Sequence, residues 1–306
     1  MHQTLLAPPA AAGIARELVH LTTDESVLLT GWTRHTPNRF SLTARWPAAT
    51  SGASSTGSRR PDPLLVPQTV RQSGLLIAHA EFDVPLGYQT LLEQLDLTLA
   101  ADPRLPVDRP ALLDVELVCT EAGRHGRRLT GLDLDIAIRH DGRLVARSAT
   151  RFSWISPAVY RRLRGERATV TGWGEWPLPA PVPPTDAGRA TAPEVLLSPT
   201  GRPLHWQLRC DPANRVLFDH PVDHVPGLAL HEAACQAAAQ CTSTLFAPTS
   251  AVTTFSRYVE FDAPCWIEAS TVPSSSPDTV TVLVTGRQAG APAFHSTFTG
   301  PAVAGS

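Results

Sequence analysis

Two apolar helices with a polar stripe stand out in the pattern of hydrophobic and polar positions. The first is predicted at residues 64–79, with Pro67 in its first turn, where a missing N–H is tolerated. The second is predicted at residues 228–245, directly after a polar loop that ends in Pro226-Gly227. The two helices are far apart in the chain, so each is expected to organise its own half.

Other segments alternate apolar and polar side chains with the period of two that is typical of half-buried strands. Asp141-Gly142 is a tight hairpin signal, and Gln288-Ala289-Gly290 takes the same place in the second half. The pattern therefore predicts an α+β protein in which a curved antiparallel sheet wraps one long helix in each half. The predicted strands are 26–30, 40–46, 91–100, 113–120, 130–139 and 144–154, then 204–210, 256–261, 265–271, 279–287 and 293–299.

The two helices carry polar residues at matching places, which indicates an internal duplication. Gln68 and Gln72 stand four residues apart, as do Glu232 and Gln236, and one common offset relates both pairs. The predicted organisation is an N-terminal half at 1–172, a semi-rigid Pro-rich linker at 173–187 and a C-terminal half at 188–306.

Composition narrows the function classes. With 306 residues and 42% hydrophobic content the chain has enough apolar material for a folded core, and a net charge of −2 argues against nucleic-acid binding. All 26 basic residues are arginine, which excludes a Schiff-base lysine and the lysine of a Walker phosphate loop. The abundance of Ala, Pro and Arg points to a high-GC bacterial gene.

Targeting and redox features favour a cytoplasmic protein. Residues 1–12 lack the basic and apolar regions of a signal peptide, and no apolar run approaches the ~20 residues of a membrane span. Five cysteines, an odd number without a C-x-x-C pair, are expected to be free thiols. We expect no metal site and no cofactor.

The loop before the second helix concentrates candidate catalytic groups. It brings His220 and His224 close in sequence to Glu232, a carboxylate that is costly to bury in an apolar helix. A bland alternative is that Glu232 only favours the helix dipole and that the histidines only hydrogen-bond the loop. The combination of D-H-P-x-D-H-x-P-G with the following carboxylate favours a functional interpretation.

Two arginine features leave alternatives open. Arg71 lies on the same helical face as Gln68, so it is either a solvated charge or a buried cation near a site. The basic run Tyr160–Arg164 is interpreted as a solvated face of a short helix, with contact to a phosphopantetheine group or a carrier protein as the alternative.

These motifs resemble the A-factor biosynthesis family, whose members act in γ-butyrolactone signal synthesis. The resemblance rests on F-D-H-P-V-D-H-V-P-G at 218–227 with the helix after it, on D-P-L-L at the start of 62–79, and on V-P-L-G at 84–87. It also covers S-P-A-V-Y-R-R-L-R at 156–164 and so spans nearly the whole chain. The loop and helix also look like the acyl-carrier-protein dehydratase pattern. Both families imply a hotdog fold, here a double hotdog.

The resemblance implies an acyl transfer in the cytoplasm of an actinobacterium. A β-ketoacyl group would move from an acyl carrier protein or coenzyme A thioester to the hydroxyl of dihydroxyacetone phosphate or a similar acceptor. A carboxylate suits deprotonation of the hydroxyl, the helix start at Gly227 suits the developing oxyanion, and an arginine suits the phosphate. The expected assembly is a monomer or homodimer, without nucleic-acid or membrane partners.

The chain departs from the family pattern at two positions. The family's first-half Glu is Gln68 here, and its second-half Arg is Cys235. The hypothesis is one composite site with Glu232 as base and Arg71 as anion anchor. His220 and His224 are predicted to orient groups or relay protons. The predicted substrate-binding residues are Arg71, Gln68, Gln72, Gly227, Cys235 and Gln236.

Three alternatives stay open for the altered site. A dehydratase-like enzyme on the same fold would pair a loop histidine with Glu232. A degenerate, non-catalytic acyl-binding module would tolerate loss of Glu232. Cys235 could act as a thiol nucleophile, although its place inside a helix favours a buried structural thiol.

Overall fold

A computed structural model of the chain describes residues 13–48, 62–101, 103, 105–106, 108–126, 128–242, 246–273, 276 and 278–302. Residues 1–12, most of the loop predicted at 47–61 and the last three residues of the predicted second helix lie outside these ranges. Within them no helix is long and apolar enough to cross a bilayer.

In the described part of the chain, twelve strands form a single sheet in which the pairings are antiparallel. In chain order the strands are β1 (Leu29–Thr36), β2 (Arg39–Trp46), β3 (Gln89–Leu99), β4 (Ala111–His125), β5 (Arg128–His140), β6 (Arg143–Ile155), β7 (Leu197–Pro199), β8 (His205–Leu208), β9 (Ser250–Phe255), β10 (Cys265–Val272), β11 (Thr279–Gln288) and β12 (Ala291–Pro301). The helices are α1 (Leu65–Glu81), α2 (Pro157–Arg164) and α3 (Gly227–Cys241).

The strand order shows the duplication directly. Across the sheet it runs β1-β2-β4-β5-β6-β3 and then β9-β12-β11-β10-β8-β7. The second half repeats the first in reverse order, so the halves are related by a pseudo-twofold axis between β3 and β9. These two strands pair over Gln94–Thr98 and Ser250–Thr254 and make the sheet continuous. The prediction of two tandem hotdog halves is confirmed.

The long helices pack against the inner face of the sheet. In α1, Gly74 lies so close to the sheet that an added Cβ would stand 2.7 Å from Phe152 and 3.0 Å from Leu134. Trp46 of β2 donates a hydrogen bond from its indole N–H to Thr69 of α1 at 2.8 Å. The helix is thereby fixed on the sheet, and its polar residues face the segments that cover it.

Most predicted elements are confirmed, with clear exceptions. The strand predicted at 256–261 is wrong, because this stretch is a loop and the strand is β9, six residues earlier. Pro248-Thr249, just before β9, is typical of a turn in sequence. Pairing with both β3 and β12 nevertheless makes Ser250–Phe255 a strand. Two-sided pairing of this kind is set by tertiary contacts rather than by local pattern.

Smaller differences occur near the chain's other short elements. The strand predicted at 26–30 begins later than expected, as β1 at Leu29, and a 3-10 turn at Asp24–Ser26 precedes it. Strand β7 has three residues and was not predicted. Both hairpin signals are confirmed, since Asp141 and Gly142 have φ values of 47° and 74°, and the second hairpin repeats this geometry.

The Pro-rich stretch at 173–187 packs on the second half. Trp176 stacks on Phe261 with ring centroids 4.2 Å apart and donates its indole N–H to the carbonyl of Cys210. Val182 then bonds through its backbone N–H to Leu197 of β7. The stretch therefore delivers the residues that follow it to a fixed place beside α3.

Candidate active site

Two equivalent glutamines anchor the long helices. Gln72 accepts a hydrogen bond from the N–H of Leu28 at 2.8 Å and donates to the carbonyl of Ser26 at 3.0 Å. Gln236 accepts from the N–H of Leu196 at 2.9 Å and donates to the carbonyl of Glu194 at 2.8 Å. Both amides satisfy backbone groups of the covering segment. Their contacts are structural, and the substrate contact predicted for them stays a prediction.

The central feature of the second half is a buried carboxylate in which one oxygen accepts hydrogen bonds and the other has no partner among the described residues. Glu232 is 1% exposed, and its Oε1 accepts hydrogen bonds from Gln236 at 2.6 Å and from Nε and Nη2 of Arg189, the former at 2.7 Å. Its Oε2 has no partner in the described part of the chain. Burial raises the pKa of Glu232, although the cation and the amide oppose the shift.

The surroundings of Glu232 come from both halves. Asp62, just before α1, lies near enough to raise the pKa of Glu232 further. Helix α3 begins at Gly227 without any side-chain cap, so N–H groups of its first turn point away from the helix unpaired by a capping group. Glu232 follows one and a half turns later. The carboxylate thus has a guanidinium, an amide and a second carboxylate as neighbours, on a helix whose start is uncapped.

The equivalent place in the first half has different chemistry. Gln68, which corresponds to Glu232, donates its amide N–H to the carbonyl of Val216 at 3.1 Å. Arg71 donates one hydrogen bond to the carbonyl of Val19 at 3.3 Å, and burial lowers the pKa of its guanidinium to about 10 while nearby Asp219 opposes the shift. The long helix of the first half thus has a cation and an amide at the two positions where the second half has Cys235 and Glu232.

A histidine pair lies beside Arg71. His79 bonds through Nδ1 to the carbonyl of Val84 at 2.7 Å, so Nδ1 carries the proton and Nε2 is an acceptor. His20 therefore donates its Nε2–H to His79 across 2.9 Å. Burial, with the positive charge of Arg71 as the next cause, lowers the pKa of His20 to about 4. The pair is neutral at physiological pH.

The two Asp-His pairs of the loop have different neighbours. Asp219 accepts from the backbone N–H of Thr22 at 2.7 Å and from its hydroxyl at 2.8 Å, and His220 lies 3.2 Å from the same carboxylate. Burial opposes the effect, but these donors lower the pKa of Asp219. Asp219 and His220 therefore cover the region around Thr22 and Arg71 in the first half, although they belong to the second half of the chain.

The second pair is fastened to α2. His224 bonds to Asp223 at 2.8 Å, and the Tyr160 hydroxyl donates to the other oxygen of that carboxylate. Arg164 donates to the Asp223 carbonyl at 3.2 Å and forms a two-pronged ion pair with Glu260. The predicted helix in this region is confirmed, but Arg164 is buried rather than solvated. It fixes the loop that leads into α3.

Cys235 occupies the position that corresponds to Arg71. Its sulfur lies 3.6 Å from Nε2 of His231, whose Nδ1 lies 2.9 Å from the Thr253 hydroxyl. Burial, followed by the charge of Glu232, raises the pKa of Cys235, and burial lowers the pKa of His231 to about 4. At neutral pH this is a thiol beside a weakly basic imidazole, so the geometry favours the structural interpretation of Cys235.

The structure gives Glu232 a cationic partner other than Arg71, and the composite site stays a prediction. Among the described residues, no hydrogen bond or ion pair links Glu232 to Arg71, His220 or His224. The cation that contacts Glu232 is Arg189, which sequence reasoning missed because it follows the Pro-rich stretch. The same described residues contain no cluster of three or more histidine, cysteine or acidic residues suited to a metal.

Comparison with solved structures supports the architecture. A structure described as an oleoyl thioesterase from Lactobacillus plantarum superposes with a TM-score of 0.51 over 85% of this chain and 95% of its own. At 13% identity this likeness concerns the fold alone.

Sequence comparison is more specific. A 2-oxo-3-(phosphooxy)propyl 3-oxoalkanoate synthase from Streptomyces virginiae is 45% identical over 90% of this chain and 93% of its own length. A synthase of the same name from Streptomyces coelicolor is 39% identical over 100% and 95%, respectively. The profile of the A-factor biosynthesis hotdog domain matches residues 2–156 and 174–304, which takes in both halves and both sites. The chain belongs to the A-factor biosynthesis hotdog family.

Proposed function

We propose that this protein is an acyltransferase that moves a β-ketoacyl group from an acyl carrier protein or coenzyme A thioester to the hydroxyl of dihydroxyacetone phosphate. The name of its relatives supports the product, because this transfer yields a 2-oxo-3-(phosphooxy)propyl 3-oxoalkanoate. Such an ester is a precursor for butenolide and γ-butyrolactone signals, as the family resemblance implies.

The observation that carries the proposal is the asymmetry of the Glu232 carboxylate. Its Oε1 is held by Arg189 and Gln236, whereas the buried Oε2 has no partner among the described residues. A fixed carboxylate with one available oxygen and a raised pKa suits a general base. Oε2 accepts the proton of the acceptor hydroxyl while the hydroxyl oxygen attacks the thioester carbon. The carbon–sulfur bond then breaks, and the carrier thiol leaves with a proton.

The start of α3 suits the charge that develops on the thioester oxygen. The N–H groups of Gly227 and Leu228 precede the first intrahelical bonds and have no side-chain cap. Arg71 as an anion anchor, His220 and His224 as proton relays, and Gln68 and Cys235 as substrate contacts remain predictions. The dehydratase alternative gains no support, since both loop histidines bond to aspartates rather than to Glu232.

A mass-spectrometric assay tests the transfer. A β-ketoacyl thioester and dihydroxyacetone phosphate are incubated with the wild type, Glu232→Gln and the exposed control Glu166→Gln. We expect the phosphate ester with the wild type and the control, and a rate lower by about 100-fold or more for Glu232→Gln. Denaturant unfolding of each variant accompanies the assay, because Glu232→Gln leaves the largely buried Arg189 without its carboxylate. A product equal to the substrate minus water, or ester formation that survives Glu232→Gln, would overturn the proposal.

A further inference from the structure

Arg189 is brought to Glu232 by a turn outside the hotdog core. Residues 183–189 form successive backbone hydrogen bonds, including Arg189 N–H to the Pro184 carbonyl at 2.8 Å, and Gly188 has a φ of 64° that favours glycine. The arginine then donates Nη1–H to the Gly188 carbonyl at 2.9 Å. Its side chain is 17% exposed, so the cation is held in place and largely buried.

The position of Arg189 makes up for the residue missing from α3. In the first half the cation is Arg71, on the helix itself. The equivalent residue of α3 is Cys235, which is too short to carry a charge to the site and whose sulfur contacts His231. Arg189 lies close enough to Cys235 to affect the pKa of its thiol. The guanidinium therefore reaches the same neighbourhood from a different segment of the chain.

Two of the five guanidinium donors of Arg189 have no assigned partner. Nε and Nη2 each use one N–H on Glu232, and Nη1 uses one on Gly188. One N–H on each terminal nitrogen thus makes no bond in the described part of the chain. The Oε2 atom of Glu232 belongs to the carboxylate that this guanidinium contacts, and it is a buried acceptor that is likewise unpaired in the described residues. A donor pair next to a free carboxylate oxygen suits a molecule that has both an anionic group and a hydroxyl.

We propose that Arg189 binds the phosphate of the acceptor at the Glu232 site. The inference rests on the proposed acyl transfer and names the group that recognises its acceptor. Dihydroxyacetone phosphate has only three carbons, so its base and its phosphate anchor must be neighbours. Arg189 contacts Glu232, whereas Arg71 has other partners in the other half. A planar guanidinium also matches phosphate oxygens in two-point geometry.

Kinetics with two acceptors test this assignment. The rate is measured with dihydroxyacetone phosphate and with dihydroxyacetone, which lacks the phosphate, for the wild type, Arg189→Gln, Arg71→Gln and Arg143→Gln, an exposed control at the start of β6. We expect Arg189→Gln to raise KM for the phosphorylated acceptor at least tenfold without a matching change for dihydroxyacetone. The exposed control Arg143→Gln should leave both KM values within about twofold, and Arg71→Gln should raise KM for the phosphorylated acceptor less than Arg189→Gln does. Adding Cys235→Arg to Arg189→Gln should recover part of the loss. The reverse assignment, with KM raised by Arg71→Gln alone, would overturn the proposal.

A binding experiment separates this proposal from the transferase itself and from misfolding. Calorimetry compares Glu232→Gln with the double variant Glu232→Gln/Arg189→Gln, in which no charge of the pair is left alone. Dihydroxyacetone phosphate and inorganic phosphate are the probes. We expect at least tenfold weaker binding of both probes to the double variant. Equal binding by the two proteins, or binding by neither, would contradict the inference. If the difference is found but the wild type forms no ester, the anion site stands and the transferase proposal fails.

Discussion

Gln72 and Gln236 make the same two backbone hydrogen bonds, each in its own half of the molecule. Each amide accepts from one N–H and donates to a carbonyl two residues earlier in the covering segment. The duplication therefore preserves the frame of the two sites at the level of single hydrogen bonds. The residues beside these anchors have diverged. Gln68 of the first half corresponds to Glu232 of the second, and Arg71 corresponds to Cys235. One frame thus holds two chemically different sites.

The shared frame gives a matched pair of substitutions. Gln72→Ala and Gln236→Ala each leave an N–H and a carbonyl, both at least partly buried, without a partner, so each should lower the free energy of unfolding by about 2–4 kcal/mol. Only Gln236→Ala also removes a hydrogen bond to Glu232, so only this variant should lose activity, by about tenfold or more. Denaturant unfolding and the ester assay measure the two effects. Similar activity losses in both variants would show that the second effect is only structural.

Arg164 should be the most sensitive arginine of α2. Its side chain is 5% exposed and pairs with Glu260, so Arg164→Met leaves a carboxylate with little compensation and should cost about 3–5 kcal/mol. Arg161 on the exposed face has no ion pair in the described residues, and Arg161→Met should stay within about 0.5 kcal/mol. Chemical denaturation of both variants checks this contrast. Equal midpoints would mean that the ion pair does not hold the loop.

The fold could be predicted from the sequence to the extent that periodicity and turn chemistry are local. The helix around Arg71, the hairpin at Asp141-Gly142 and the doubled organisation all follow from such signals. Strand β9 could not be placed, because its pairing with β3 depends on how the two halves meet. The packing of the Pro-rich stretch could not be predicted for the same reason, because its tryptophans contact Phe218 and Phe261, which lie far away in the chain.

The sequence predicted the carboxylate of the candidate site, Glu232, but not its cationic partner, Arg189. Glu232 stands out because a carboxylate is unusual in an apolar helix, and that is a property of its neighbours in sequence. Arg189 is one of many arginines, and nothing in its local sequence marks it. Only the path of the chain from the Pro-rich stretch to α3 brings it to Glu232. Pairs of this kind are matters of topology, which the sequence pattern does not fix.

His231 should make stability fall in mild acid. Burial lowers its folded-state pKa from 6.5 to about 4. Between these values the unfolded chain binds the proton and the folded chain does not, so unfolding becomes easier as pH falls from 6.5 to 4. The loss should be about 3 kcal/mol from this residue. Unfolding of the wild type and of His231→Gln at pH 7 and pH 4.5 measures it. The variant should show a smaller fall, and an equal fall in both would contradict the assignment.

The pH dependence of transfer should report the ionisation of Glu232. A general base works only when ionised, so the rate should be lost as pH falls through the folded-state pKa of Glu232. Burial raises that pKa, so the acid limb should lie above the range of an ordinary glutamate. Two charged groups contribute to it, with Arg189 favouring the ionised form and Asp62 disfavouring it.

Gln236 offers a way to move this limb without changing a charge. Its amide N–H stabilises the ionised carboxylate through a 2.6 Å hydrogen bond. Gln236→Ala removes that donor, so the limb of kcat/KM against pH should shift upward. Gln72→Ala removes the equivalent frame contact in the other half and should leave the limb in place. An acid limb that is the same in all three proteins would mean that a group other than Glu232 controls the reaction. The sign of the rate change distinguishes a base from a group that must be protonated. Between the old and the new pKa, a raised pKa lowers the rate if the group acts as a base and increases it if the group must be protonated.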